Sequence, residues 1–86
     1  MTGSYRLIIR RSAEKEIRSL PSETRHRVVA KIRSLADQPR PQGCEKLSGR
    51  AAYRVRVGAY PIVYTIEDDR LVVTAVRVAH RRDVYR

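Results

Sequence analysis

The chain has 86 residues, 19 Lys and Arg against nine Asp and Glu, and a formal charge of +10. That length fits one domain spanning 1–86, with a thin core that buries about 60–65% of the unfolded surface. The charge makes a polyanion or an acidic protein the default partner, and the longest mostly apolar run, Leu71–Val76, is too short to span a bilayer.

Tyr5–Ile9 reads as a first strand, with Tyr5, Leu7 and Ile9 alternating against Arg6 and Arg10. No signal segment is expected, because Met1–Ser4 leads straight into that charged strand. Ser12 is placed to cap a helix whose apolar face is Ala13, Ile17 and Leu20, and Glu14 and Glu16 suit its positive end. Pro21 ends it. Ser22 is placed to cap a second helix with Val28, Val29, Ile32, Leu35 and Ala36 as the buried stripe. Arg25, Arg27, Lys31 and Arg33 lie on its outer side, a solvated face or the seat of an acidic partner, and His26 is expected in solvent. Asp37–Gly49 reads as a loop, punctuated by Pro39, Pro41 and Gly43.

Three strands follow: Ala52–Val57, Pro61–Ile66 and Leu71–Val78, joined by turns at Gly58-Ala59-Tyr60 and Glu67-Asp68-Asp69. The nearly continuous apolar character of Leu71–Val78 predicts a central strand covered on both faces. The order β-α-α-β-β-β predicts an α+β fold, a helical hairpin packed on one side of a small, mainly antiparallel sheet. The other side is expected to be partly open and cationic.

In Tyr53-Arg54-Val55-Arg56-Val57 the strand period sends Tyr53, Val55 and Val57 inward and puts Arg54 and Arg56 on one outer face. Like charges on one face repel, so an anion is expected there. Tyr53, Tyr60 and Tyr64 read as core or turn packing. The end of the chain, His80-Arg81-Arg82-Asp83-Val84-Tyr85-Arg86, adds cations and an aromatic hydroxyl, with Lys46 upstream. Sixteen of the bases are Arg and three are Lys, and the planar guanidinium fork suits phosphate and carboxylate. The single Cys44 rules out an internal disulfide and fits a reducing cytoplasm, and no His or Cys stands at metal-ligand spacing.

These pieces, in order, resemble the RelE/ParE superfamily of bacterial toxin–antitoxin toxins. The likeness rests on Lys46-Leu47-Ser48-Gly49, on Tyr53 through Tyr64, and on Val76 through Tyr85. The resemblance implies a type II toxin neutralised by a cognate acidic, RelB-like antitoxin, cytoplasmic, without a cofactor and with no membrane role. Operator DNA would be met only through the antitoxin complex. In the RelE branch such a toxin is similar to a ribosome-dependent endoribonuclease (an mRNA interferase) that inhibits translation. In the ParE branch it inhibits DNA gyrase without catalysis. A plain basic nucleic-acid-binding module is a third reading, against which the toxin-like order counts.

Arg54, Arg56, Arg81 and Tyr85 fall where RelE-type toxins carry catalytic groups, and Lys46, Pro61, His80 and Arg82 fall at substrate-binding positions. Metal-independent cleavage is chemically accessible: arginines neutralise phosphoryl charge, while Tyr85 stacks on a base or protonates the leaving oxygen. Two departures weaken that activity. The family's strand-pair Lys is replaced by Arg54 and Arg56, which are poor bases. Its turn Gly-Asp-Tyr-Arg is here Gly58-Ala59-Tyr60-Pro61, so a phosphate-contacting cation is absent.

Overall fold

The computed structural model describes residues 4–47 and 51–78. In chain order the elements are β1 (Arg6–Ile9), α1 (Arg11–Arg18), α2 (Ser22–Ser34), β2 (Glu45–Lys46), β3 (Ala52–Val57), β4 (Tyr60–Glu67) and β5 (Val72–Val78). They form an α+β fold with one sheet in the order β1-β5-β4-β3-β2. Every neighbouring pair is antiparallel except β1 with β5. The first strand thus lies beside the last in a parallel pair, which needs the intervening helices as its crossover.

The core lies between that sheet and the helices. Ala13, Ile17, Leu20, Val28, Ile32 and Leu35 meet Val55, Ile62, Tyr64, Ile66, Val73, Ala75 and Val78. Tyr64 is fully buried, and its hydroxyl donates to Pro39 O at 2.7 Å. Burial pushes its pKa up, so it remains a neutral donor. Tyr53 stacks on Tyr64 with ring centroids 5.9 Å apart. Arg40 lies over Tyr53 and holds both oxygens of Asp68, at 3.2 and 2.8 Å, while Tyr5 donates to the same carboxylate at 2.8 Å. This network ties the loop after α2 to the β4–β5 turn. Arg40 and Tyr5 hold the Asp68 carboxyl below the usual carboxylate range.

Several local expectations are revised. Neither helix has a side-chain cap: Arg10 and Pro21 occupy the N-cap positions, and Ser22 is already helical. The Ser12 hydroxyl donates instead to Val76 O at 2.8 Å, a tertiary partner outcompeting the local one. The loop expected over Asp37–Gly49 contains β2, paired through Glu45↔Arg54 and Lys46↔Tyr53. Leu71 is a turn residue with φ 54, not the start of a strand, and its carbonyl accepts from Arg6 N at 2.7 Å. Ile9, read as alternating with Arg6 and Arg10, is 40% exposed on the edge strand. Pro61 is the second residue of β4, opposite Arg56, and it is buried rather than open.

A bulge sets the phase of β5. Tyr64 pairs with Ala75 and Val63 with Arg77, so Val76 is the extra residue. Strict alternation from Val73 and Ala75 would put Arg77 into the core. The bulge gives that place to Val78, which is 1% exposed. Deleting Val76 is therefore expected to leave plain alternation, with Arg77 outward and Val78 inward, so the variant should unfold cooperatively and lose about 1 kcal/mol with the Ser12 contact. Val76→Ala should cost only about 1 kcal/mol by thermal denaturation. A deletion variant that fails to fold would show that Val76 is not the spare residue of this ladder.

Candidate functional site

The β3–β4 register brings the two strand arginines together. Val55↔Ile62 and Tyr53↔Tyr64 face the core, so Arg54↔Val63 and Arg56↔Pro61 share the other face. Arg56 is exposed, and Arg54 is half-buried. Beyond Arg54 the β2 pairing stops, leaving the rest of β3 without a strand neighbour on that side among the described residues.

A cavity of about 220 Å³ opens at this edge, lined by Lys31, Gln42, Gly43, Glu45, Arg54, Val55 and Arg56. Glu45 stands directly opposite Arg54, and its Oε1 accepts from Arg54 Nε at 3.0 Å and Nη2 at 2.7 Å. That carboxylate answers the expected repulsion between Arg54 and Arg56. Arg54, with a smaller contribution from Arg56, holds the Glu45 carboxyl below its ordinary pKa, so the pair persists as ions at neutral pH. The Glu45 side chain is 58% exposed, which leaves the pair open to exchange with another anion. Arg56 and Lys31 add two further cations. At the β3–β4 turn, Gly58 takes a left-handed conformation, and Arg27 Nη2 lies 3.9 Å from where a Cβ on Gly58 would stand. The groove can therefore hold a phosphodiester, with Arg54 free to leave Glu45 for a phosphate oxygen.

Of the candidate residues, Arg54 and Arg56 are brought together. Pro61 adjoins Arg56 but offers no charge. Lys46 pairs with Tyr53 and so lies on the opposite face from the arginines. His80, Arg81, Arg82 and Tyr85 lie outside the described residues. Lys31 and Glu45 are additions that sequence reasoning did not place in the site. Lys31 interrupts the stripe Val28, Ile32 and Leu35 at its border, a position from which it turns to the groove. Glu45 sits in a strand of two residues, too short to show a period. Among the described residues no three His, Cys, Asp or Glu side chains are grouped to hold a metal ion, and no helix is long and apolar enough to cross a membrane.

Comparison with known proteins gives the setting. Residues 7–85 match the family described as "ParE toxin of type II toxin-antitoxin system, parDE". No curated protein matches the chain. Among solved structures, the chain is similar to the isolated Escherichia coli RelE toxin, with 30% identity over 95% of this chain and 92% of that one, at a TM-score of 0.78. It is also similar to a chain of the toxin–antitoxin complex RelBE2 of Mycobacterium tuberculosis, with 25% identity, coverage of 91% and 99%, and a TM-score of 0.80. A chain of the RelE–RelB complex of Pyrococcus horikoshii gives 26% identity, coverage of 91% and 96%, and a TM-score of 0.82. The family model bears the ParE name and the solved structures the RelE name. The whole-chain likeness to E. coli RelE decides between them for the branch. The chain belongs to the ParE toxin family, within the RelE/ParE superfamily, and is a RelE-type toxin of a type II toxin–antitoxin system.

Proposed function

We propose that this toxin is a metal-independent endoribonuclease that cuts mRNA bound to the ribosome and so halts translation. The observation that supports it most is the cationic groove in which Arg54 and Arg56 share one face, with Lys31 beside them. In the reaction the 2′-hydroxyl of one nucleotide attacks the adjacent phosphorus and gives up its proton to solvent. The bond from phosphorus to the 5′-oxygen breaks, leaving a 2′,3′-cyclic phosphate and a 5′-hydroxyl. Arg54 and Arg56 offset charge on the phosphoryl oxygens, Arg81 adds a third guanidinium, and Tyr85 donates the proton that the leaving 5′-oxygen takes up. Glu45 is a weak base while Arg54 holds it, so alignment of the 2′-hydroxyl by the ribosome carries much of the rate.

An acidic antitoxin of the RelB type is the partner that fits a +10 chain. Its binding would stabilise the toxin by mass action. A second reading, gyrase inhibition without catalysis, is favoured by the ParE family model and by Pro61 in place of an arginine.

Induction in cells separates the two readings. The nuclease reading expects translation to stop, with new 5′ ends inside codons of translated mRNA and little cutting of free RNA. Inhibition of DNA supercoiling by purified protein, with mRNA left whole, would move the chain to the gyrase reading.

Pro61→Arg restores a cation beside Arg56 and is expected to raise ribosome-dependent cleavage by about two to three decades, the equivalent of roughly 3–4 kcal/mol at the transition state. Because Pro61 is buried, the new side chain must reach outward from the strand, at a cost of about 1–3 kcal/mol in stability. Equal cleavage rates for the two proteins would remove any phosphate contact from this position.

Glu45→Ala frees Arg54 and should tighten binding of single-stranded RNA. Arg54→Ala should flatten the slope of log affinity against log salt by about 0.7, one lost phosphate contact. An unchanged slope would mean that Arg54 makes no phosphate contact.

A further inference from the structure

The parallel pairing of β1 with β5 ends at Ile9↔Ala75, and Arg10 N donates to Ala75 O at 2.9 Å as the last backbone bond of that edge. Residues 76–78 of β5 continue past it with no strand alongside on that side among the described residues. Two side chains of α1 take over. Ser12 Oγ donates to Val76 O at 2.8 Å, and Glu16 Oε1 accepts from Val78 N at 2.6 Å. Ser12 and Glu16 are four residues apart, so they project from one helix face and meet the Val76 carbonyl and the Val78 amide on the edge that β1 leaves uncovered. Glu16 Oε2 also accepts from Arg77 Nε at 3.0 Å, with Arg77 Nη2 at the same distance. The Glu16 side chain is only 26% exposed, the least among the ion-paired carboxylates of the described residues.

We infer that Glu16 is a positioning residue for the reaction: by standing in for a missing strand, it fixes the backbone at Val78, from which the chain runs on to Arg81 and Tyr85. The inference rests on the RelE-type nuclease reading. A helix carboxylate beside an exposed strand end has an ordinary structural use, satisfying the Val78 amide. Two features point further. The brace acts at the last described residue of β5, and the proposed catalytic residues follow it in sequence by three and seven positions. It also coincides with the Val76 bulge, where β5 is re-phased and keeps β4 as its one strand neighbour among the described residues. Misplacement of a reacting group by about 1 Å is enough to lower a rate a hundredfold.

The test uses the full chain, released from its antitoxin, on mRNA-programmed ribosomes. Exchange of the Val78 amide is followed in parallel. Glu16→Ala is expected to lower kcat about a hundredfold with KM for the programmed ribosome nearly unchanged, and to speed exchange at Val78. Glu16→Gln keeps an acceptor oxygen and should recover most of the rate and the protection, although it loses the charge facing Arg77. Glu16→Asp draws the carboxylate back by one carbon and should fall between the two. It carries the test if Glu16→Ala does not fold. A purely structural role would lower melting temperature and active fraction in the Ala variant while leaving kcat per active molecule at the wild-type value, and that result would overturn the inference. Unchanged exchange at Val78 in Glu16→Ala would overturn it as well. A wild-type chain that cuts no mRNA would sink the nuclease reading, and the Val78 exchange would still decide the brace.

Discussion

The antiparallel register of β3 on β4 is the constraint from which the rest of the molecule follows. Val55 opposite Ile62 and Tyr53 opposite Tyr64 must face the helices, because those side chains close the core. Alternation then leaves Arg54 and Arg56 no choice of face. A slip of one residue would bury two guanidiniums and expose the tyrosine stack, at a cost larger than a domain of this size can sustain. The same pairs that stabilise the fold therefore aim the cations. Arg40, Asp68 and Tyr5 anchor the far end of this arrangement, holding the loop before β2 so that Glu45 arrives opposite Arg54.

Two carboxylates of this basic chain are placed where they organise cations and backbone. Glu45 lies across one arginine of the groove and holds it as an ion pair that a phosphate can displace. Glu16 binds the Val78 amide where β5 runs past β1, and it pairs with Arg77. Both pairs are formed at the surface, where an ion pair in isolation contributes roughly 0–1 kcal/mol. Their value lies in geometry, since each fixes a group next to a face or strand end that the proposed chemistry needs.

Much of this was legible in the sequence, and the misses share a physical cause. The period of Tyr53–Val57 announced both the core face and the arginine face, because the sheet is covered on one side only there. The helix stripes were equally clear from Ala13, Ile17 and Leu20 and from Val28, Ile32 and Leu35. What stayed hidden depended on partners distant in sequence. The parallel pairing of β1 with β5 leaves no local mark, and Ser12 turned to a strand carbonyl that its neighbours do not reveal. Val72-Val73-Thr74-Ala75-Val76 is apolar on both faces, so its composition fitted either phase and concealed the bulge. In the site, Arg54 and Arg56 were visible from alternation, whereas Glu45 became visible only once β2 had a partner. Pro61 read as the first residue of its strand, but the strand begins one residue earlier and Pro61 is buried in it.

The central claim is that the paired arginines of β3 are what make this chain toxic. It is tested most directly by inducing the Arg54→Ala, Arg56→Ala double variant in cells and measuring growth arrest. Folding and antitoxin binding are verified on the same protein. The account predicts that arrest disappears while melting temperature and complex formation persist, because both side chains lie on the face away from the core. Arrest at the wild-type level, from a folded double variant, would contradict it.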